Sequence, residues 1–219
     1  MNPRDLKNVP PERPLPMTAE PVAWDDPKIA YVVTRCRGRR VIDLGCVMHD
    51  PRAYTSRYWL HRALAESAAE VTGIDLDSEG VAALAARGYR MLQGDAEDFS
   101  VTKRVDVVVA GDIIEHLGNP GGLLRSAREA LVPGGCLIIQ TPNPWYWRNS
   151  VKAMWGREVA NNPEHTCWFD PRTMRQLAAR FGFELGEVAF HSRYRRDRWL
   201  PLPRGWKHTS WSGVLTPRA

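Results

Sequence analysis

The sequence predicts an α/β protein built on a mostly parallel, seven-stranded sheet with helices on both faces. Between residues 40 and 140, short β-branched runs alternate with helical patterns, and strands joined through helices imply crossovers and parallel pairing. The runs at 105–110 and 136–140 are apolar at nearly every position, as strands covered on both faces require. At 219 residues, 43% hydrophobic and 25% charged, the chain suits one sizeable core and is too short for two.

The elements follow in order. Seven of the 17 prolines fall in the first 27 residues, so 1–25 reads as a proline-rich mobile leader. A helix begins with Ile29, Ala30, Val32 and Val33, capped by Asp25 or Asp26 with Pro27 at its first position. It opens a single domain, 26–219. A strand is expected at 40–44, a helix at 54–69, a strand at 70–74, an Ala-rich helix at 78–87 and a strand at 89–92. The central strand 105–110 and a helix at 120–131 come next, and Pro133-Gly134-Gly135 turns the chain into strand 136–140. Beyond it, a helix at 171–181, a strand at 183–190 and a last edge strand at 210–215 are readable.

Charge and cysteine usage narrow the function classes. Thirty Lys and Arg against 25 Asp and Glu leave +5, and the segment 192–208 holds Arg193, Arg195, Arg196, Arg198, Arg204 and Lys207 against Asp197 alone. The excess is therefore local, and a basic coat over the whole surface is excluded. Cys36, Cys46, Cys136 and Cys167 form no CxxC pair, which excludes a disulfide scaffold or structural zinc. The N-terminal residues lack a secretory pattern and no apolar run approaches 18 residues, so a cytoplasmic protein without a membrane partner is expected.

In an open parallel sheet, ligands settle outside the carboxyl ends of the strands. After the first strand stand Asp43, Gly45 and Cys46; after the second, Asp75 and Asp77; after the third, Gly94-Asp95-Ala96-Glu97. A glycine turn lets backbone approach a ligand, and a carboxylate one βα unit later accepts from ribose hydroxyls. Singly these signals are weak, because a strand-end Asp more often caps a helix.

Their order carries more. Val41-Ile-Asp-Leu-Gly-Cys46, Gly73-Ile-Asp-Leu-Asp77, Gly94-Asp-Ala-Glu97, Asp106-Val-Val-Val-Ala-Gly-Asp-Ile-Ile-Glu-His-Leu117 and Leu131-Val-Pro-Gly-Gly-Cys-Leu-Ile-Ile139 together resemble the class I S-adenosylmethionine (SAM) dependent methyltransferases of the small-molecule type. The resemblance implies a Rossmann-like methyltransferase fold and SAM as cofactor. It places Asp43, Gly45 and Cys46 near the methionine part, Asp75 on the ribose, Leu76 on the adenine face, Asp95 and Ala96 at the adenine edge, and Gly111 and Asp112 beside the sulfonium. One departure stands out. The family's Leu-Gly-Cys-Gly-x-Gly is here Leu44-Gly45-Cys46-Val47-Met48-His49, and a β-branched residue disfavours positive φ. Either the loop takes another path or SAM binding weakens; the insert 50–59, with Arg52, Tyr54, Arg57 and Tyr58, offers cover for the carboxylate end.

Methyl transfer to a hydroxyl needs a nearby base, and His suits neutral pH. The catalytic candidates are His116, in the block the resemblance sets beside the methyl, and His165, in the C-terminal part. A structural role competes for both, and outweighs the catalytic one for His116. Asp112, Glu115 and His116 could also be read as metal ligands, but three so close in sequence make no recognised cage, and no metal is expected. His49 and His61 read as capping or surface residues.

Seven of nine tryptophans lie in the last 75 residues, and 141–219 is expected to supply the acceptor-side loops. Asn143, Trp145, Tyr146 and Trp147, directly after the 136–140 strand, are the substrate-binding candidates, against the plainer reading that they complete a core. The basic segment 192–208 reads as a solvated loop, as a site for an anionic acceptor, or as a nucleic-acid surface; Pro201, Pro203 and Gly205 make nucleic acid the weaker partner. The functional expectation is O-methylation of a small hydroxylated acceptor: a sugar, glycoside or natural-product intermediate. A non-catalytic SAM-fold partner protein and a nucleic-acid-directed methyltransferase are the alternatives, and a homo-oligomer is left open.

Overall fold

The Asp26 carboxylate accepts from the N–H groups of Lys28 at 2.8 Å and Ile29 at 3.4 Å, and Pro27 takes the first helical position, where its missing N–H costs nothing. That cap starts α1 (Pro27–Cys36). The computed structural model describes residues 26–48, 54, 56–159, 162–192 and 194–218, without the side chains of Arg195 and Arg198. The expected leader 1–25, His49, Arg52 and Arg193 lie outside the described residues.

After α1 come β1 (Arg40–Leu44), α2 (Leu60–Ser67), β2 (Glu70–Asp75), α3 (Ser78–Ala86), β3 (Met91–Gln93), β4 (Val105–Gly111), α4 (Pro120–Ala130) and β5 (Leu131–Pro142). Then follow α5 (Trp147–Met154), α6 (Pro171–Arg180), β6 (Phe183–His191) and β7 (Ser210–Pro217). The seven strands form one sheet in the order β3-β2-β1-β4-β5-β7-β6. The first five strands pair in parallel, and β7 runs antiparallel to both β5 and β6. The strand order reverses between β1 and β4, which opens a crevice at their carboxyl ends.

Alternation along β4 shows why both faces must be covered. Val108 and Ala110 pack with Leu123, Leu124, Met174 and Ala178 from α4 and α6, while Val107 and Val109 point the other way, onto Val32, Val33, Ala63 and Leu64 of α1 and α2. A smaller cluster of Tyr54, Trp59 and Leu84 sits under the loop after β1.

Four expectations change. The helix foreseen at 54–69 is only α2, because Tyr54 and Trp59 turn inward, ring centroids 4.9 Å apart, and the Trp59 indole N–H donates to the Cys46 carbonyl at 3.0 Å. The strand at 89–92 begins later, at Met91, since Tyr89 joins that aromatic cluster 5.1 Å from Trp59. The strand 210–215 is no edge: β7 lies inside the sheet with Trp211 fully buried, and β6 forms the edge. Finally, α5 stands in the stretch expected to be loop.

Candidate active site

The crevice end of the sheet collects the strand-end residues. The main chain leaves β1 through Gly45 at φ +67, where a Cβ would lie 2.5 Å from Ile113 Cδ1, so only glycine fits this turn. At the end of β2, Asp75 is fixed by two backbone donors, Val47 N–H to Oδ2 at 2.9 Å and Asp77 N–H to Oδ1 at 3.0 Å. Asp77 in turn caps α3. After β3, the Asp95 carboxylate accepts from Glu97 N–H at 2.8 Å. Gly45, Asp75, Leu76, Asp95, Ala96, Ile113 and Leu117 are among the residues lining a cavity of about 80 Å³.

The altered glycine motif finds its explanation here. Among the described residues, the non-glycine with positive φ is Asp112, not Val47. Val47 therefore takes an ordinary backbone conformation, its N–H turned to Asp75 and its side chain laid against the bare Cα of Gly80, where a Cβ would collide with Val47 Cγ1. At Val47 the main chain needs no positive φ, and a glycine in α3 makes room for the Val47 side chain.

Five of the nine expected cofactor residues, Gly45, Asp75, Leu76, Asp95 and Ala96, line the cavity. Asp43 and Cys46 sit behind it. Asp43 is buried and shares a 2.9 Å hydrogen bond with His61 Nδ1, and burial pushes the Cys46 thiol well above its usual range. His61, read from the sequence as a capping or surface residue, is fully buried: its ring clusters with those of Trp59 and Tyr89, 5.5 Å from each, and the Asp43 carboxylate supplies the polar partner that a buried imidazole needs. Gly111 and Asp112 end β4. Asp112 takes φ 51 and pairs with Lys28 of α1, whose carbonyl accepts from Gln140 Nε2 at 2.9 Å. No sequence signal joins Lys28 to a residue 84 positions away.

Beyond Asp112, the 3-10 turn Ile114–His116 carries the second group. Glu115 is buried, accepts from Thr141 Oγ1 at 2.9 Å, and its carbonyl receives the N–H of Thr166 at 2.8 Å. That contact brings the 162–168 loop onto the turn, so that His165 meets His116 edge to face with centroids 4.7 Å apart. Burial first, and then the Asp112 carboxylate, raise Glu115 to about 7. Burial and the neighbouring His116 hold the His165 pKa below its ordinary value. His165 Nδ1 is buried and has no hydrogen-bond partner among the described residues. Two groups bring three potential ligand atoms within 4.8 Å of one another: Glu115, His116 and His165, and the buried Asp43, Cys46 and His61. The first group replaces the Asp112 of the sequence reading with His165.

The four expected substrate residues divide. Asn143 is buried, its amide donating to the carbonyls of Gly205 and His208 while its oxygen accepts from Trp145 N–H at 3.2 Å. Tyr146 is buried and donates to Asp197. Trp147 keeps its indole nitrogen buried and lies under the Arg148 guanidinium at 4.8 Å. Trp145 is 51% exposed, with its N–H donating to Asp170 at 2.8 Å. Of the four, Trp145 presents the most surface.

The sheet order, the glycine turn after β1 and the carboxylate fixed after β2 agree with the Rossmann-like fold of the SAM-dependent methyltransferases. A family model described as a methyltransferase domain matches residues 23–188, and the chain belongs to that methyltransferase family. Its relatives include a trans-aconitate 2-methyltransferase of Mycobacterium tuberculosis, 32% identical over 106 residues, 48% of this chain and 38% of the relative. A ubiquinone biosynthesis O-methyltransferase of Azorhizobium caulinodans is 28% identical over 170 residues, 70% of this chain and 62% of the relative. The chain thus spans less than two thirds of the length of either. In fold it is similar to the crystal structure of a SAM-dependent methyltransferase from Archaeoglobus fulgidus, with a TM-score of 0.62 at 16% identity, covering 85% of this chain and 93% of the other. SAM is the cofactor of the class, and the cavity suits its nucleoside: bare main chain at the Gly45 turn, a fixed carboxylate at Asp75, and an apolar shelf where Leu76 is 65% exposed.

Proposed function

We propose that the protein transfers a methyl group from SAM to a hydroxyl of a small acceptor such as a sugar, a glycoside or a natural-product intermediate. The observation that carries the choice of oxygen is the pairing of His116 with His165 at 4.7 Å, across 49 positions of sequence, with His165 Nδ1 buried and its imidazole held neutral. A neutral imidazole is what a base needs near neutral pH.

SAM, when bound, supplies the methyl group. The remaining tasks fall to the chain. Asp75, locked by the amides of Val47 and Asp77, retains lone pairs for the ribose hydroxyls; Leu76 and Ala96 flank the adenine, Asp95 meets its edge, and Gly45 lets the main chain approach. Asp43 and Cys46 support the turn from behind, and Gly111 and Asp112 border the reacting carbon. As the acceptor oxygen bonds to carbon, its proton passes to His165, with His116 beside it. Trp145 offers the aromatic wall for the acceptor, while Asn143, Tyr146 and Trp147 shape the loop behind. Glu115 and Asp43 already have protein partners in Thr141 and His61, so the reading needs no metal. One relative is named for trans-aconitate and the other for ubiquinone biosynthesis, which supports a small acceptor, anionic in the first case. Four unbridged thiols accord with a cytoplasmic setting.

The test is methyl transfer from labelled SAM to a panel of hydroxylated acceptors. Turnover of a panel member should fall about 10²–10⁴-fold in His165→Ala, with SAM affinity by calorimetry unchanged. Full turnover in that variant removes His165 from the chemistry, and absence of SAM binding in the parent removes the enzyme reading altogether.

A further inference from the structure

The Trp-rich stretch and the basic segment are separate features of the sequence, but the fold makes them one surface. Helix α5 carries Trp147, Val151, Met154 and Trp155 at positions i, i+4, i+7 and i+8, a single helical face. In a helix bounded by a protein core, such a face would be buried. Here Asn149 is the buried residue of α5, whereas Met154 is 78% and Trp155 75% exposed. Gly156 at φ +63 ends the helix just beyond, so Trp155 stands at the tip. In the basic segment, Trp199 is 78% exposed.

A compact joint holds the two stretches together. Tyr146 donates to Asp197, the Arg148 guanidinium lies 3.6 Å from the same carboxylate, and Tyr146 and Tyr194 stack with centroids 6.5 Å apart. Arg148 also covers the Tyr194 ring at 5.1 Å. Basic residues run through the sequence of both stretches. Residues 147–157 contain three basic and no acidic side chains, and 194–208 contain five basic residues with Asp197 the lone acid. Together they exceed the +5 of the entire chain, so the remainder of the molecule is slightly acidic and the surface has a definite polarity.

We propose that this surface docks on an anionic lipid bilayer, with α5 lying in the plane of the headgroups. Protein interfaces concentrate apolar residues in a centre depleted of Lys and ring it with polar groups. Here Trp and Met alternate with Arg and Lys throughout, which is the composition of helices that lie in the membrane interface, with tryptophan at headgroup depth and basic side chains toward anionic lipid. Nucleic acid would use the arginines and tryptophans but leave Val151 and Met154 without a function. No helix among the described residues is long and apolar enough to cross a membrane, so the contact is with the surface only. The proposal revises the expectation of no membrane partner and stands apart from the identity of the methyl acceptor.

The test is co-sedimentation of the full chain with vesicles of phosphatidylcholine, and of phosphatidylcholine mixed with phosphatidylglycerol, at low and high salt. The protein should bind the mixed vesicles at least about 10-fold more tightly than the neutral ones, release from them at high salt, and shift its tryptophan emission to the blue when bound. Met154→Glu with Trp155→Glu, at exposed positions, should abolish binding while thermal melting and SAM affinity stay at parental values. No binding to the mixed vesicles, or unchanged binding by the double variant, overturns the proposal. So does a concentration-dependent dimer, or retention of RNA without vesicle binding, that the same two substitutions remove. Retained SAM binding in any of these outcomes leaves the methyltransferase reading standing.

Discussion

At single residues, the site depends on groups whose partners are fixed by the fold. Asp75 is tied to two backbone donors, so Asp75→Ala should weaken SAM binding about 10–100-fold by calorimetry, whereas Asp75→Asn, which keeps an acceptor for one of the amides, should lose affinity with a smaller fall in melting temperature than Asp75→Ala. His61 is different, because it is the partner of a buried carboxylate. His61→Leu strands Asp43 and should cost about 3 kcal/mol in a denaturant titration. Glu115 gives the fold a pH signature. Its folded pKa, about 7 against an ordinary 4.5, means that the folded state holds a proton the unfolded chain gives up between these values. Stability contributed by that proton is fully present below pH 4.5 and is lost as pH rises through 7. Glu115→Gln keeps the neutral form at every pH. Its melting temperature should gain on the parent between pH 4.5 and about 7 and level off above that, and parallel profiles for the two would remove this account.

At the level of elements, α3 and the loop after β1 are fitted to each other. Gly80→Ala puts a methyl into Val47 and, at 2.8 Å, near the Asp77 cap; overpacking of this kind costs about 1–3 kcal/mol, more than the helix propensity gained. The loss should shrink when Val47→Ala is added, a coupling read directly from a double-mutant cycle of melting free energies. This pair also marks where the sequence was legible and where it was not. Strand β1 and helices α1, α3, α4 and α6 announced themselves through period, caps and turn residues, each a local property. Residue 47 could be seen to break the glycine pattern, but the compensating Gly80 lies 33 positions on and looks like any helical glycine. Helix α5 has no side-chain cap, and its one local signal, the spacing of Trp147, Val151, Met154 and Trp155, is short and lies in a tryptophan-rich stretch that also reads as loop. His61 reads as surface until Asp43 is known to face it. The two catalytic candidates were named separately; their meeting required the Glu115 carbonyl to hold Thr166.

For the molecule as a whole, the sheet divides into five parallel strands, β1 to β5, and an antiparallel pair, β6 and β7, that completes one side. Removing residues 209–219 would delete β7, and with it the buried Trp211, whose indole donates to the Phe169 carbonyl at 2.8 Å. The shortened chain should lose its cooperative thermal transition. The strand order has a further consequence for synthesis. As β2, β3, β4 and β5 emerge in turn, each finds a neighbour already made, in β1, β2, β1 and β4. Strand β6 does not: its sheet partner β7 is translated after it. While the ribosome moves through the 19 or so residues from 192 to 210, β6 has no ladder to join. The β6–β7 side of the sheet thus assembles last and all at once, when β7 arrives to close two seams in a single step.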